Sequence, residues 1–181
     1  MSHHPVADEL IARNGRYASE DHLGGLRAEP SRQVTVVTCM DARIDVEMML
    51  GLERGEAHVL RNAGGVLTDD VVRSVALSQR LLGTREVILI HHTACGLHGL
   101  DEAAFLDELT RAAGAAPTWK VGSFADPAAD VARSLRELSH NKFLAHRDHL
   151  RGFVFDVEIE DPKLGRKISY GYNVKTLPVV T

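Results

Sequence analysis

The chain is short of several things, and each shortage removes a class of protein. It has no long run of lysine and arginine, and its formal charge is −4 at pH 7. Nucleic acid and anionic membranes both need a basic face, so neither is expected as a partner. It has no apolar stretch long enough to span a membrane; the strongest run, residues 87–90, is strand-sized. Residues 1–8 are polar and acidic, without the apolar centre of a secretory signal, and His3 and His4 are too few for an affinity tag. A cytoplasmic protein is the expectation. There is no internal repeat and no low-complexity segment. Cysteine is scarce, with only Cys39 and Cys95 present. Nothing indicates an oxidising compartment, so three readings of that pair stand at this point: buried inert thiols, a redox pair, or metal ligands.

What is present describes one folded domain. The 181 residues, 44% of them hydrophobic and 25% charged, suit a single core spanning residues 1–181. Residues 1–30 read as an N-terminal arm, with a short helix over 7–13 and breaks at Gly24, Gly25 and Pro30. A β-branched strand over 34–38 runs directly into Cys39, and a helix over 44–50 stops at Gly51. A second strand is expected at 57–60. Thr68 then caps a helix that carries Asp69 and Asp70 in its first turn and ends at Leu82 before Gly83. The strand at 86–91 delivers His92 to Gly96. Helical patterns follow at 101–113 and 127–138. A strand over 152–159 places Phe153, Phe155, Val157 and Ile159 on one face, and 167–172 returns beside it after a turn at 161–165. Alternating strands and helices predict an α/β fold: a mostly parallel central sheet of about four or five strands flanked by helices, with an N-terminal helical arm.

Two of the three early strands end in a loop that carries a cysteine. In open α/β sheets, ligands collect at the carboxyl ends of the strands. If the first and third strands are neighbours, Cys39 faces His92 and Cys95 there. Zinc favours thiolate and imidazole ligands, and a catalytic zinc keeps three protein ligands with a fourth position open. Cys39, His92 and Cys95 supply that count, and the His-x-x-Cys spacing lets one tight turn provide two of them. His91 competes for the register, but it ends a buried strand and reads as a packed or hydrogen-bonded residue. Asp41 and Arg43, two apart in an extended loop, can pair as carboxylate and guanidinium. A dyad beside a metal and a solvated surface pair are both consistent with that spacing. Gly64 and Gly65 suit either a close backbone approach or an ordinary turn. A cysteine-phosphatase cradle fails, because Asp45 stands where Cys-x5-Arg requires arginine.

Cys39-Met40-Asp41-Ala42-Arg43, followed by Arg61-Asn62-Ala63-Gly64-Gly65 and His92-Thr93-Ala94-Cys95-Gly96, resembles the β-class carbonic anhydrases. The resemblance is strongest over residues 35–96, and the strand at 152–157 looks like the small bacterial branch. It implies one Zn2+ per chain on Cys39, His92 and Cys95, with Asp41–Arg43 as the neighbouring dyad. It also implies reversible hydration of CO2 to bicarbonate by a zinc-bound hydroxide. In some members the aspartate swings in as a fourth ligand at lower pH. Such proteins form homodimers or higher homo-oligomers, so the arm would wrap a neighbouring subunit. A regulatory bicarbonate site built on a tryptophan is not expected, since the only one, Trp119, lies far along the chain. His98 is a proton-shuttle candidate by position alone, and Ala94 stands where many relatives carry aspartate. Two alternatives remain: hydrolysis of COS or CS2 on the same fold, and a non-catalytic zinc or thiol redox-sensing protein.

Overall fold

A computed structural model describes residues 5–20, 25–157, 159–161, 166–168 and 174–176. Along the chain run α1 (Ala7–Glu20), β1 (Val34–Cys39), α2 (Val46–Leu50), β2 (Ala57–Asn62), a 3-10 turn (Ala63–Gly65), α3 (Asp69–Leu82) and β3 (Glu86–His92). They are followed by α4 (Glu102–Ala113), α5 (Pro127–His140), β4 (Leu150–Phe155), β5 (Ile159–Asp161), β6 (Arg166–Ile168) and β7 (Val174–Thr176). The main sheet has the order β2-β1-β3-β4-β7. Its first four strands are parallel and β7 is antiparallel to β4.

β1 and β3 are central, which explains their composition. All six residues of β1 are buried, and a strand covered on both faces reads as a continuous β-branched run rather than an alternation. On one face Val37, Val87 and Leu89 pack with Val71 and Val75 of α3 and with Val131, Leu135 and Leu138 of α5. On the other, Val36 and Ile90 meet Ile44, Val46, Val66, Phe124, Phe155 and Val157. α5 lies close over β4 because Gly152 has no side chain; a Cβ there would overlap Val131 and Leu135.

Helix ends follow local chemistry. The Thr68 hydroxyl accepts from the Val71 amide, and Gly83 closes α3 in the left-handed region at φ 73°. α2 starts at Val46 rather than at Ile44, because Asp45 serves as its N-cap by accepting from the Met48 amide. α1 is longer than the 7–13 expected, continuing through Gly15 to Glu20, with an ion pair between Glu9 and Arg13 one turn apart.

The C-terminal strands differ most from expectation. β4 stops at Phe155 because its neighbour β3 ends opposite it, His92 being paired with Phe155. The chain beyond leaves the sheet: Ile159–Asp161 pairs with Arg166–Ile168 as a separate hairpin, and β7 takes the edge beside β4. Of the expected return over 167–172, Lys167 and Ile168 pair back on Glu160 and Ile159, at the end of the expected 152–159 strand and not beside Phe153 and Phe155, while residues 169–172 lie outside the described residues. Residues 162–165 of the expected turn, Tyr170 and Tyr172, and His3, His4 and Gly24 lie outside the described residues.

Candidate metal centre

Adjacent parallel strands put two sequence-distant segments at one edge. β1 ends on Cys39 and β3 ends on His92, and the turn after His92 brings Cys95 back through Ala94 at φ 52°. One ligand atom from each of Cys39, His92 and Cys95 lies within 4.8 Å of the others, and all three residues are buried. Both cysteines are free thiols.

The ring of His92 is already oriented. Its Nδ1 lies 2.9 Å from the Thr93 carbonyl oxygen. A carbonyl only accepts, so Nδ1 carries the proton of the neutral ring and Nε2 presents a lone pair. That Nε2 is buried without a hydrogen-bond partner. A buried acceptor left unsatisfied costs free energy on the order of 1–3 kcal/mol. An ion among the three residues would remove that cost, and two sulfurs with one imidazole nitrogen are the donor set zinc takes.

The thiols point the same way. In the metal-free site burial pushes the Cys39 thiol up, but the His92 ring, when it carries charge, and the amides of Asp41 and Gly64 outweigh it, so the thiol is held below its ordinary value. Burial also pushes Cys95 up, and the proximity of Cys39 and Asp41 adds to the rise. Two thiolates this close repel, and a divalent cation between them offsets the repulsion.

Asp41 and Arg43 pair at the edge of this cluster. Arg43 donates from Nε to Oδ1 at 2.9 Å and from Nη2 to Oδ2 at 2.7 Å, and its backbone amide donates to Oδ1 at 2.9 Å. Arg43 is the main reason the Asp41 carboxyl is held well below the usual carboxylate range, against the opposing effect of burial. Asp41 Oδ2 is 3.8 Å from His92 Nε2, so the carboxylate faces the ligand cluster. Arg43 Nη2 also donates to the Ala94 carbonyl at 3.0 Å, which ties the Cys39 loop to the Cys95 loop.

Several residues around the cluster were not readable as functional from sequence. Arg61 donates to the Cys39 carbonyl from Nε at 3.0 Å and to the Asp41 carbonyl from Nη2 at 2.8 Å, gripping the backbone on both sides of Met40. The Met40 amide in turn donates to the Asn62 carbonyl at 2.8 Å. Gly65, at φ 67°, lies so close to β1 that a Cβ would stand 2.8 Å from the Cys39 nitrogen. Of the two readings of the glycine pair, close backbone approach holds at Gly65. Asp156 accepts from the Thr93 hydroxyl at 2.8 Å. The pairing depends on β3–β4 adjacency, and no motif signals it. His91 is fully buried, bonded to Asp130 at 3.0 Å and stacked on Phe124, a packed strand-end residue as expected. His98 is exposed and its Nε2 is bonded to the Ala125 carbonyl at 2.9 Å. Trp119 is exposed in the loop between α4 and α5.

Known proteins share this sequence and fold. The pattern that defines the carbonic anhydrase family matches residues 34–141. β-Carbonic anhydrase 1 of Mycobacterium tuberculosis is 51% identical over 152 residues, covering 84% of this chain and 93% of that one. A carbon disulfide hydrolase of Acidithiobacillus thiooxidans is 33% identical over 149 residues, covering 71% of this chain and 74% of that one. The crystal structure of carbonic anhydrase from Streptococcus mutans superposes with a TM-score of 0.79 at 33% identity, covering 92% of this chain and 98% of that chain. Agreement in sequence and in fold over most of the length makes this chain a member of the β-carbonic anhydrase family.

Proposed function

We propose that the protein is a zinc-dependent carbonic anhydrase that hydrates CO2 reversibly to bicarbonate, with one zinc ion on Cys39, His92 and Cys95. The observation that carries this is the buried, partnerless Nε2 of His92 beside two free thiols. A bound zinc ion would supply the Lewis acidity that lets water ionise near neutral pH. The chain's own residues would do the rest. Asp41 Oδ2, facing the ligands, accepts a hydrogen bond from the reacting water and orients it. Arg43 keeps Asp41 ionised and holds both its oxygens, so the carboxylate stays an acceptor instead of moving in as a fourth ligand.

Three of the finer expectations have support as well. All the described side chains of α1 are exposed, including Leu10, Ile11 and Tyr17. A helix of 14 residues is marginal alone in water and gains stability by burying an apolar face. A groove lined by Val34, Val36, Leu50, Leu52 and Ile88 lies on the sheet face opposite α3 and α5. A homodimer in which the arm of residues 1–30 covers that groove on a second copy accounts for both features, and sedimentation velocity tests it. Thiol ligands persist best in a reducing compartment, which supports the cytoplasm, and no described helix is long and apolar enough to cross a membrane. The sheet shared by both apolar clusters supports one domain over residues 1–181.

The test is stopped-flow CO2 hydration by protein of verified zinc content between about pH 6 and 9. Rapid hydration that rises toward alkaline pH supports the reading. Fully loaded protein that hydrates no CO2 but releases H2S from COS or CS2 supports the second reading, which the carbon disulfide hydrolase relative favours. A structural zinc normally has four protein ligands, and three gather here among the described residues, which weighs against a non-catalytic sensor.

A further inference from the structure

Thr93 follows the metal-facing histidine, and the tail of β4 grips it at three points. Its amide donates to the Phe155 carbonyl at 2.9 Å. Its hydroxyl donates to Asp156 Oδ1 at 2.8 Å and accepts from the Val157 amide at 3.1 Å. Its carbonyl is the acceptor that fixes the proton of His92 on Nδ1. We propose that Thr93, anchored by Asp156, is the positioning residue that holds the tautomer and ring orientation of His92 toward the metal. This rests on the metal-centre reading above.

One peptide plane carries this positioning. The Thr93 carbonyl orients His92 only while the peptide between Thr93 and Ala94 keeps its direction. The next residue, Ala94, sits at φ 52°, a left-handed conformation that a non-glycine residue leaves readily unless it is held. Arg43 holds the next peptide, between Ala94 and Cys95, through the Ala94 carbonyl, which fixes Ala94 from its far side. The Thr93 side is held by β4, and the hydroxyl contributes two of its three bonds. Without the hydroxyl, the Val157 amide loses its acceptor and Asp156 loses a donor. Among the described residues, the ligand turn then keeps the Thr93 amide bond to the Phe155 carbonyl as its link to β4. Partners that orient a metal-binding histidine in this way are typically worth about 10–100-fold in metal affinity.

The experiment measures zinc affinity by competition with a chromophoric chelator, together with the absorption spectrum of the Co(II)-substituted protein. Thr93→Val keeps the shape and β-branching and removes the hydroxyl; Thr93→Ser keeps the hydroxyl. The expected result is about 10–100-fold weaker zinc binding and an altered cobalt spectrum for Thr93→Val, with Thr93→Ser within about threefold of wild type. Asp156→Ala should also weaken binding, and the double variant should lose less than the two single losses combined, as expected for one shared interaction. Wild-type affinity and spectrum in Thr93→Val would overturn the proposal, as would equal losses in Val and Ser or simple additivity with Asp156→Ala. Should Thr93→Val fail to fold, Asp156→Ala decides: weaker binding at an unchanged metal-free Tm supports the proposal, and unchanged binding overturns it. Wild-type protein that binds no zinc would instead overturn the metal-centre reading itself.

Discussion

Replacing Gly65 by alanine should displace a metal ligand without touching it. Its Cβ would lie 2.8 Å from the Cys39 nitrogen and from the Thr38 carbonyl carbon, and 3.1 Å from the Thr38 Cα. Unstrained contacts of this kind begin near ~3.4–3.5 Å, so the β1 backbone must retreat by about 0.6 Å. Metal constellations tolerate about 0.5 Å of misplacement, and Cys39 is carried on the part that moves. The substitution also costs about 1–2 kcal/mol for alanine at φ 67°. Gly64→Ala is the matched control: at φ 77° it carries the same conformational cost, but its Cβ meets the Leu97 Cδ2 and Val66 Cγ1 side-chain atoms at 2.9 and 3.2 Å. Side-chain tips yield by rotation, whereas the backbone of a central strand does not. Both variants should lower the metal-free Tm by about 3–6 °C. Only Gly65→Ala should lose zinc affinity by about tenfold or more in chelator competition, with Gly64→Ala within about threefold. Equal losses of affinity in the two variants, or none in Gly65→Ala, would refute the claim that Gly65 sets the position of Cys39.

Three further outcomes follow from the same geometry. Stripping the metal with a chelator should lower Tm by about 5–10 °C relative to protein held at 100 times its Kd for zinc, since such binding contributes about 2.7 kcal/mol; scanning calorimetry with and without chelator reads this. Arg61→Gln should reduce zinc affinity by about 3–10-fold and leave the metal-free Tm within about 2 °C, because it releases the Cys39 and Asp41 carbonyls at an exposed position. Asp130→Ala should cost on the order of 3 kcal/mol near neutral pH, by leaving the fully buried His91 without its partner. Burial pushes the Asp130 carboxyl up, but His91 and Arg133 outweigh it, so its folded value lies below the ordinary one. Its contribution is therefore present above the unfolded value of about 3.9 and is lost as pH falls through the folded value. Urea unfolding of metal-free wild type and variant should show the stability gap closing below about pH 4; a gap that widens there would contradict the assignment.

Some of this was legible because it is local. The β-branched run of β1, the Thr68 cap and Gly83 stop of α3, and the start of α5 at Pro127 are each decided within a few residues. The candidate trio that gathers at the sheet edge was legible because soft-metal chemistry allows few residue types, and only two cysteines were available to supply it. The end of β4 was not legible, for the opposite reason. The alternation of Phe153, Phe155 and Val157 continues past Phe155, but the ladder ends where β3 ends, a limit set by another segment.

The sequence by itself determined the fold class, the neighbourhood of the candidate metal site and the residues able to hold an ion there, because hydrophobic period, capping and ligand chemistry are properties of short stretches. Tertiary structure alone decided the rest. Arg61 grips Cys39 and Asp41 only because β2 lies beside β1, and Thr38 pairs with Arg61 in that register. Arg43 joins two loops only because β1 lies beside β3, and Asp156 reaches Thr93 only because β4 lies beside β3. Hydrogen bonds act over about 3 Å, so which side chains orient the ligands depends on strand order and register, and these are fixed when the whole sheet packs.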